Sequence, residues 1–173
     1  IFFRLLDPNI GYFNIFLKNI GLDFLAKSWL SDVRYAIWAC IAIQIWQWTG
    51  YSLTMYYAGI KAIPEDLFEA ARIDGADKKQ LLFYVTLPLL RSTTYGLVIL
   101  GAISTLKQFD LIYTLTRGGP ANSTQMFALY MYNVSFGMYK QGYACAIAMF
   151  MFVFAMIITI FQLKLYNKNQ LSY

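Results

Sequence analysis

Two long stretches without a charged side chain decide most of what this chain can become. Tyr35 to Ile60 (YAIWACIAIQIWQWTGYSLTMYYAGI) and Gln141 to Leu163 (QGYACAIAMFMFVFAMIITIFQL) hold no Asp, Glu, Lys or Arg. A helix needs roughly 20 mostly apolar residues to cross the hydrocarbon of a bilayer, and both stretches supply them. The composition agrees: 59% of residues are hydrophobic, 18% aromatic and only 13% charged, outside the mixture of ordinary soluble domains. Ser92 to Leu106 is uncharged too. It gives about 22 Å of helix at ~1.5 Å per residue, so it spans only if it continues through Lys107 and Asp110. We read it as a third span with a polar far end. Gly118 to Tyr139 also lacks charge, but GGPANSTQ and its asparagines make it a loop followed by an interfacial helix.

Other features exclude function classes. The sequence has no histidine, which removes the commonest general base and metal ligand. Cys40 and Cys145 lie inside predicted spans without CxxC spacing and read as small packing residues. The net charge of +5 comes from scattered Lys and Arg with no aromatic-basic face, so it describes solvated membrane flanks rather than a nucleic-acid site. The opening IFFRLLDPN has no initiator Met and no signal-peptide pattern, and the chain is expected to be the C-terminal part of something longer. The fourteen Lys and Arg divide evenly between the two sets of flanks, so the positive-inside rule leaves orientation open.

Five of the nine acids fall within Glu65 to Asp77, beside Arg72, Lys78 and Lys79. Pro64 suits the first turn of a helix, Glu65 and Asp66 sit at its positive dipole end, and Gly75 is placed to end it in a left-handed turn. The spacing predicts a helix over about Pro64–Asp74. Asp77 then caps a second helix, KKQLLFYVTLPLL, which Pro88 kinks. Ala70 and Ala71 carry almost no side chain, so a partner can approach there, with Leu67, Phe68 and Glu69 flanking.

The segment Glu69-Ala70-Ala71, Gly75, Val85, Leu87-Pro88 matches without a gap the spacing of the EAA loop and resembles that element of ABC importer permeases. FDLIYTLTRGGPANST, Phe109 to Thr124, is similar to the LTxGGP segment of the binding-protein-dependent sugar permeases of the maltose, glycerol-3-phosphate and multiple-sugar group. So is WQWTGYSLTMYYAGIKAIPEDLFEAARIDGA upstream, and the likeness covers essentially the whole chain. Family members usually have about six spans, of which only the last three are visible. The resemblance implies an all-α membrane protein, an importer-type permease helical bundle with about three transmembrane helices and a cytoplasmic coupling helix.

It also implies an order along the chain. Residues 1–33 form an outer loop with an interfacial helix, 34–60 a span, 61–91 the cytoplasmic loop and 92–115 a span. Residues 116–140 form an outer loop and interfacial helix, 141–166 a span and 167–173 a cytoplasmic tail. The residues that engage the ATPase would be Glu69, Ala70, Ala71, Asp74, Gly75, Leu87 and Pro88.

Polar groups within a span are costly unless satisfied, so they tend to face a cavity or a partner helix. Gln44, Gln47, Trp48 and Tyr51 fall at i, i+3, i+4 and i+7 and share one helical face. Amides and a phenol bond hydroxyls, and flat rings pack on the apolar faces of sugars. Gly101, Ser104, Thr105 and Gln108 form a comparable stripe, with Gly101 allowing a close approach. Such residues also glue helices together. The resemblance favours substrate contact for Gln44, Gln47, Trp48, Tyr51, Thr105 and Gln108, whose places relative to KAIP and LTxGGP match those lining the site of maltose-type permeases. Lys107 and Asp110 could relay ions or form an interfacial i, i+3 pair.

No GxxxxGK[ST] phosphate loop occurs, so ATP is expected on a partner chain and no cofactor or metal on this one. The expected partners are a second permease subunit, ATP-binding cassette subunits, an extracytoplasmic sugar-binding protein, the sugar and membrane lipid, with no nucleic acid. Two rival classes compete with a permease. An ion-coupled secondary transporter wants a mid-span ionisable residue, which the longest spans lack, and a membrane enzyme wants a nucleophile or metal constellation. A purely structural membrane subunit remains compatible with the sequence.

Overall fold

The computed structural model describes residues 2–8 and 10–170, which are mostly helical, with no strand among them. In chain order the helices are α1 (Phe2–Leu5), α2 (Tyr12–Asn19), α3 (Ala36–Lys61), α4 (Glu65–Ile73), α5 (Lys78–Gln80), α6 (Leu87–Leu89), α7 (Arg91–Leu106), α8 (Asp110–Leu115), α9 (Phe127–Tyr132) and α10 (Gln141–Gln170). Two π-helical stretches, Leu81–Thr86 and Asn133–Gly137, and a 3-10 turn at Asp23–Leu25 complete the described elements. The all-α class is as expected. Of the tail expected at 167–173, residues 167–170 continue α10, and 171–173 lie outside the described residues.

Among the described residues, one helix is long and apolar enough to cross a bilayer unaided, α10 over Gln141–Lys164. Lys78–Leu89 and Arg91–Leu106 reach that standard together, as a pair bent by 55°. The bend has a local cause. Pro88 has no N–H to continue the ladder and its ring crowds the preceding turn, and the wide π-helical stretch directly before it loosens the helix further. Thr86 Oγ1 donates to the Leu81 carbonyl at 3.1 Å within that stretch. α3 has the length, 26 residues, but its glutamines, tryptophans and tyrosines keep it below that standard.

One expectation needs correcting. The span read as 92–115 is two helices, because α7 ends at Leu106 and α8 begins at Asp110. The break turns Phe109 into an aromatic cluster, stacked on Tyr113 with centroids 5.1 Å apart and tilted against Tyr132 at 5.1 Å. Asp110 then occupies the first turn of α8, where the helix dipole favours an acid. Lys107 and Asp110 therefore share no helical register, and no ion pair joins them among the described residues.

Contacts gather the chain into two units, Ile1–Trp46 with Ile103–Ile158 and Gln47–Ala102 with Thr159–Tyr173. In the first, Leu6, Leu30, Ala39, Cys40, Ile43, Leu111, Ile112 and Leu129 form the buried core. Its amino-terminal part is tied by Asn14, only 4% exposed, whose side chain accepts from Trp29 Nε1 at 2.8 Å and donates to the Lys27 carbonyl at 3.0 Å. The turn after α8 is tied by hydroxyls. Thr124, buried at 1% exposure, donates to the Gly119 carbonyl at 2.8 Å and pairs with the Thr116 hydroxyl at 2.7 Å.

In the second unit, α3 and the start of α7 approach unusually closely. A Cβ built on Gly59 would lie 2.9 Å from both Leu90 Cδ2 and Thr93 Oγ1. One turn earlier on α3, Tyr56 donates its hydroxyl to Thr94 Oγ1 at 3.1 Å. At the other end of α7, a Cβ on Gly101 would meet Trp48 Cζ2 at 3.2 Å, so the close approach expected at Gly101 is made by an indole ring. Tyr166 of α10 closes the unit against α7, with its ring 5.1 Å from that of Tyr95. Gly59→Val should force α3 and α7 apart and destabilise the protein by about 1–3 kcal/mol, the usual range for overpacking. A thermal melt of the purified protein checks this, with Gly50→Ala, where no atom stands within 4 Å, as the mild control.

Candidate functional site

The charged loop folds into the helix that its caps predict. α4 runs Glu65–Ile73 with Pro64 as N-cap, Glu65 and Asp66 in its first turn and Asp74 as C-cap. Gly75 follows at φ +84°, and nothing stands within 4 Å of where its Cβ would be, so the backbone conformation rather than space requires glycine. The amide of Gly75 donates to the Arg72 carbonyl at 3.0 Å and that of Ala76 to the Ala71 carbonyl at 3.0 Å. This crossed pair is a Schellman motif, which satisfies carbonyls that a helix end otherwise leaves open.

Asp77 next opens α5 with a full capping box. Its carboxylate accepts from the Gln80 amide at 2.7 Å, and Gln80 Oε1 accepts from the Asp77 amide at 2.8 Å. The loop is thus two capped helices joined by the four residues Asp74 to Asp77.

α4 packs against the Leu81–Thr86 stretch, and this contact sorts its residues. Phe68 and Ala71 are half-buried, whereas Glu69, Ala70 and Asp74 are exposed. The two alanines, expected to form one small surface, therefore do different work: Ala71 sits against its own unit and Ala70 faces out. The outer face is Asp66, Glu69, Ala70 and Ile73 at i, i+3, i+4 and i+7, with Ile73 85% exposed and Leu67 beside it at 45%. Ile73 escaped the sequence reading, though its register with Glu69 was there to find. Leu87 and Pro88 are exposed at the far end of the segment.

The six polar residues expected to meet substrate divide three and three between the units. In the first unit, Gln44 from α3, Thr105 from α7 and Gln108 from the break after it line one pocket of about 90 Å³ with Ile37, Cys40 and Met126 among its walls. Gln44 Oε1 is buried there with no hydrogen-bond partner among the described residues. In the second, the Trp48 and Tyr51 rings lie 5.2 Å apart at a tilt of 39°, with Trp48 half-buried over Gly101 and Tyr51 exposed. Gln47 is exposed beside them. The continuous register of α3 keeps Gln44, Gln47, Trp48 and Tyr51 on one face of that helix.

Residues 2–169 match the family described as the binding-protein-dependent transport system inner membrane component. The chain belongs to this family. It is a multi-pass protein of the cell membrane. A probable ABC transporter permease protein of Pyrococcus horikoshii is 38% identical over 154 residues, 89% of this chain and 53% of that protein. The multiple sugar-binding transport system permease protein MsmF of Streptococcus mutans is 38% identical over 149 residues, 86% of this chain and 51% of its own. A chain from the crystal structure of a bacterial ABC transporter involved in the import of the acidic polysaccharide alginate superposes with a TM-score of 0.84 at 26% identity, covering 96% of this chain and 58% of that one. The chain spans about half the length of the curated relatives it matches.

The helix end at Gly75 makes a sharp prediction. Gly75→Val should fray the last turn of α4 by about 1–2 kcal/mol, whereas Gly75→Asn, which tolerates the left-handed region, should cost less. Amide hydrogen exchange across 70–77 measures the difference.

Proposed function

We propose that this chain is a transmembrane permease subunit of an ATP-driven sugar importer, forming half of the translocation pathway and coupled to a separate ATPase subunit. The observation that carries the reading is α4: a rigidly ended helix, set on a charged loop between membrane helices, with an outer face of acid, alanine and isoleucine. Membership of a family of binding-protein-dependent inner-membrane components supports it. The matching partners are a second permease subunit, two ATP-binding cassette subunits that bind the nucleotide, and an extracytoplasmic sugar-binding protein. In this orientation residues 61–91 face the cytoplasm and Arg117–Thr124 the outside.

The coupling follows from stiffness and fit. A partner groove that takes Ala70 and Ile73 buries an apolar spot of a few side chains, while Glu69 and Asp66 offer carboxylates to basic groups at its rim. The Schellman end and the capping box let the loop transmit a displacement rather than fray under it. Pro88 and the bend after it then redirect that displacement into α7, and the tight seam at Gly59 passes it to α3. Asp74 and Gly75 maintain the turn, and Leu87 and Pro88 bring the segment back to the membrane.

On the substrate side, Gln44, Thr105 and Gln108 form an uncharged hydrogen-bonding pocket. An unpartnered buried acceptor costs about 1–3 kcal/mol, so Gln44 Oε1 gains most from an O–H donor. The pocket has room for a hydroxyl group rather than a whole ring, which suits a sugar held by its edge. Trp48 and Tyr51, with Gln47 alongside, supply an aromatic surface of the kind that packs on the apolar face of a pyranose.

Two sets of substitutions test the proposal in the assembled transporter. Gln44→Ala and Gln108→Ala should each lower sugar uptake about tenfold, the effect of losing ~1.4 kcal/mol of contact, with the ATPase subunits still co-purifying; unchanged uptake in both would refute substrate contact. Glu69→Lys and Ile73→Asp should instead strip the ATPase subunits during purification, and their retention in both would remove α4 from the docking surface.

A further inference from the structure

A second cavity, of about 450 Å³, lies within the first unit and plays no part in the function proposed above. Ile103 and Leu106 at the end of α7, Ala128 and Met131 of α9, and Ala148, Met151, Phe152 and Ala155 of α10 surround it, with Lys107 as the one charged lining group. Ala148, Met151, Phe152 and Ala155 stand at i, i+3, i+4 and i+7 and form a stripe along α10. The small alanines at both ends open a furrow about 10 Å long at ~1.5 Å per residue. It begins roughly 10 Å from the Gln141 end of the helix, at hydrocarbon depth.

The walls rule out most occupants. Water needs several polar partners, and beyond Lys107 this lining offers only apolar side chains. A protein helix is too wide: two turns of a helix ~10 Å across fill on the order of 800 Å³. The volume falls within the roughly 300–1,000 Å³ of small-molecule sites, and the two methionines let the wall adapt to a flexible apolar chain. Lys107 is exposed just past the last residue of α7, and its long stem lets the ammonium reach out of the hydrocarbon. An apolar slot with one cation belongs to an amphiphile with an anionic head.

We infer that this furrow binds one acyl chain of an anionic phospholipid, whose phosphate is held by Lys107. The lipid would brace the α7–α8 break.

The test uses the complete purified transporter, stripped of lipid in detergent and titrated with phosphatidylglycerol or phosphatidylcholine of identical acyl chains, with bound lipid counted by native mass spectrometry. Phosphatidylglycerol should occupy one site per copy of this chain about fivefold more tightly than phosphatidylcholine, as expected for a single lysine at an anionic head. Lys107→Gln should abolish that preference while chain binding persists. Ala148→Phe should fill the furrow and remove binding of both lipids; Ala155→Phe provides the same test at its other end should the first variant not assemble, and the same spectra report assembly. Equal binding of the two lipids to the unmodified transporter would overturn the proposal. So would occupancy that survives both filling variants, or a cysteine at Met151 that cross-links to another polypeptide of the transporter.

Discussion

A main-chain polar group has no water to bond within hydrocarbon, so each must find its partner inside the protein. That constraint explains why the described residues are mostly helical. Breaks are affordable only where something replaces the lost ladder. At the loop the replacement is a Schellman pair followed by a capping box; at the turn after α8 it is the Thr116–Thr124 hydroxyl pair and the Gly119 carbonyl. Before Pro88 the helix widens to π-form and Thr86 turns its hydroxyl back onto the Leu81 carbonyl. Each departure from regular helix is accompanied by a polar side chain or an exposed position that accommodates it.

The same rule gives the polar residues of the spans their meaning. Most are consumed by local contacts: Thr94 donates to the Leu90 carbonyl at 3.0 Å and Thr114 to the Asp110 carbonyl at 2.7 Å. Gln44 and Gln162 differ, because each keeps a buried side-chain oxygen without a hydrogen-bond partner among the described residues, and Gln44 lines a pocket with Thr105 and Gln108.

Local chemistry made much of this legible in advance. Pro64, the acids at Glu65 and Asp66, Gly75 and Asp77 act within a few residues, so α4 and the start of α5 could be parsed from their caps, and the kink near Pro88 from the missing N–H. The break between α7 and α8 could not. It depends on Phe109 meeting Tyr132, a partner more than twenty positions away. The unequal exposure of Ala70 and Ala71 was hidden for the same reason, since only the packing of α4 on Leu81–Thr86 distinguishes them. Helical register identified the polar face of α3 but not the meeting of Gln44 with Thr105 and Gln108, which requires the place where α7 ends.

The seam at Gly59 carries one more consequence. With Leu90 and Thr93 already at the distance a methyl group would occupy, and Tyr56 bonded to Thr94 a turn away, α3 and the head of α7 have no clearance in which to slide. Parts meshed without backlash behave as one piece: a small displacement at one is not lost before it reaches the other. The absent side chain at position 59 is therefore what makes this joint stiff, and a residue usually associated with flexibility serves here as the tooth gap of a gear.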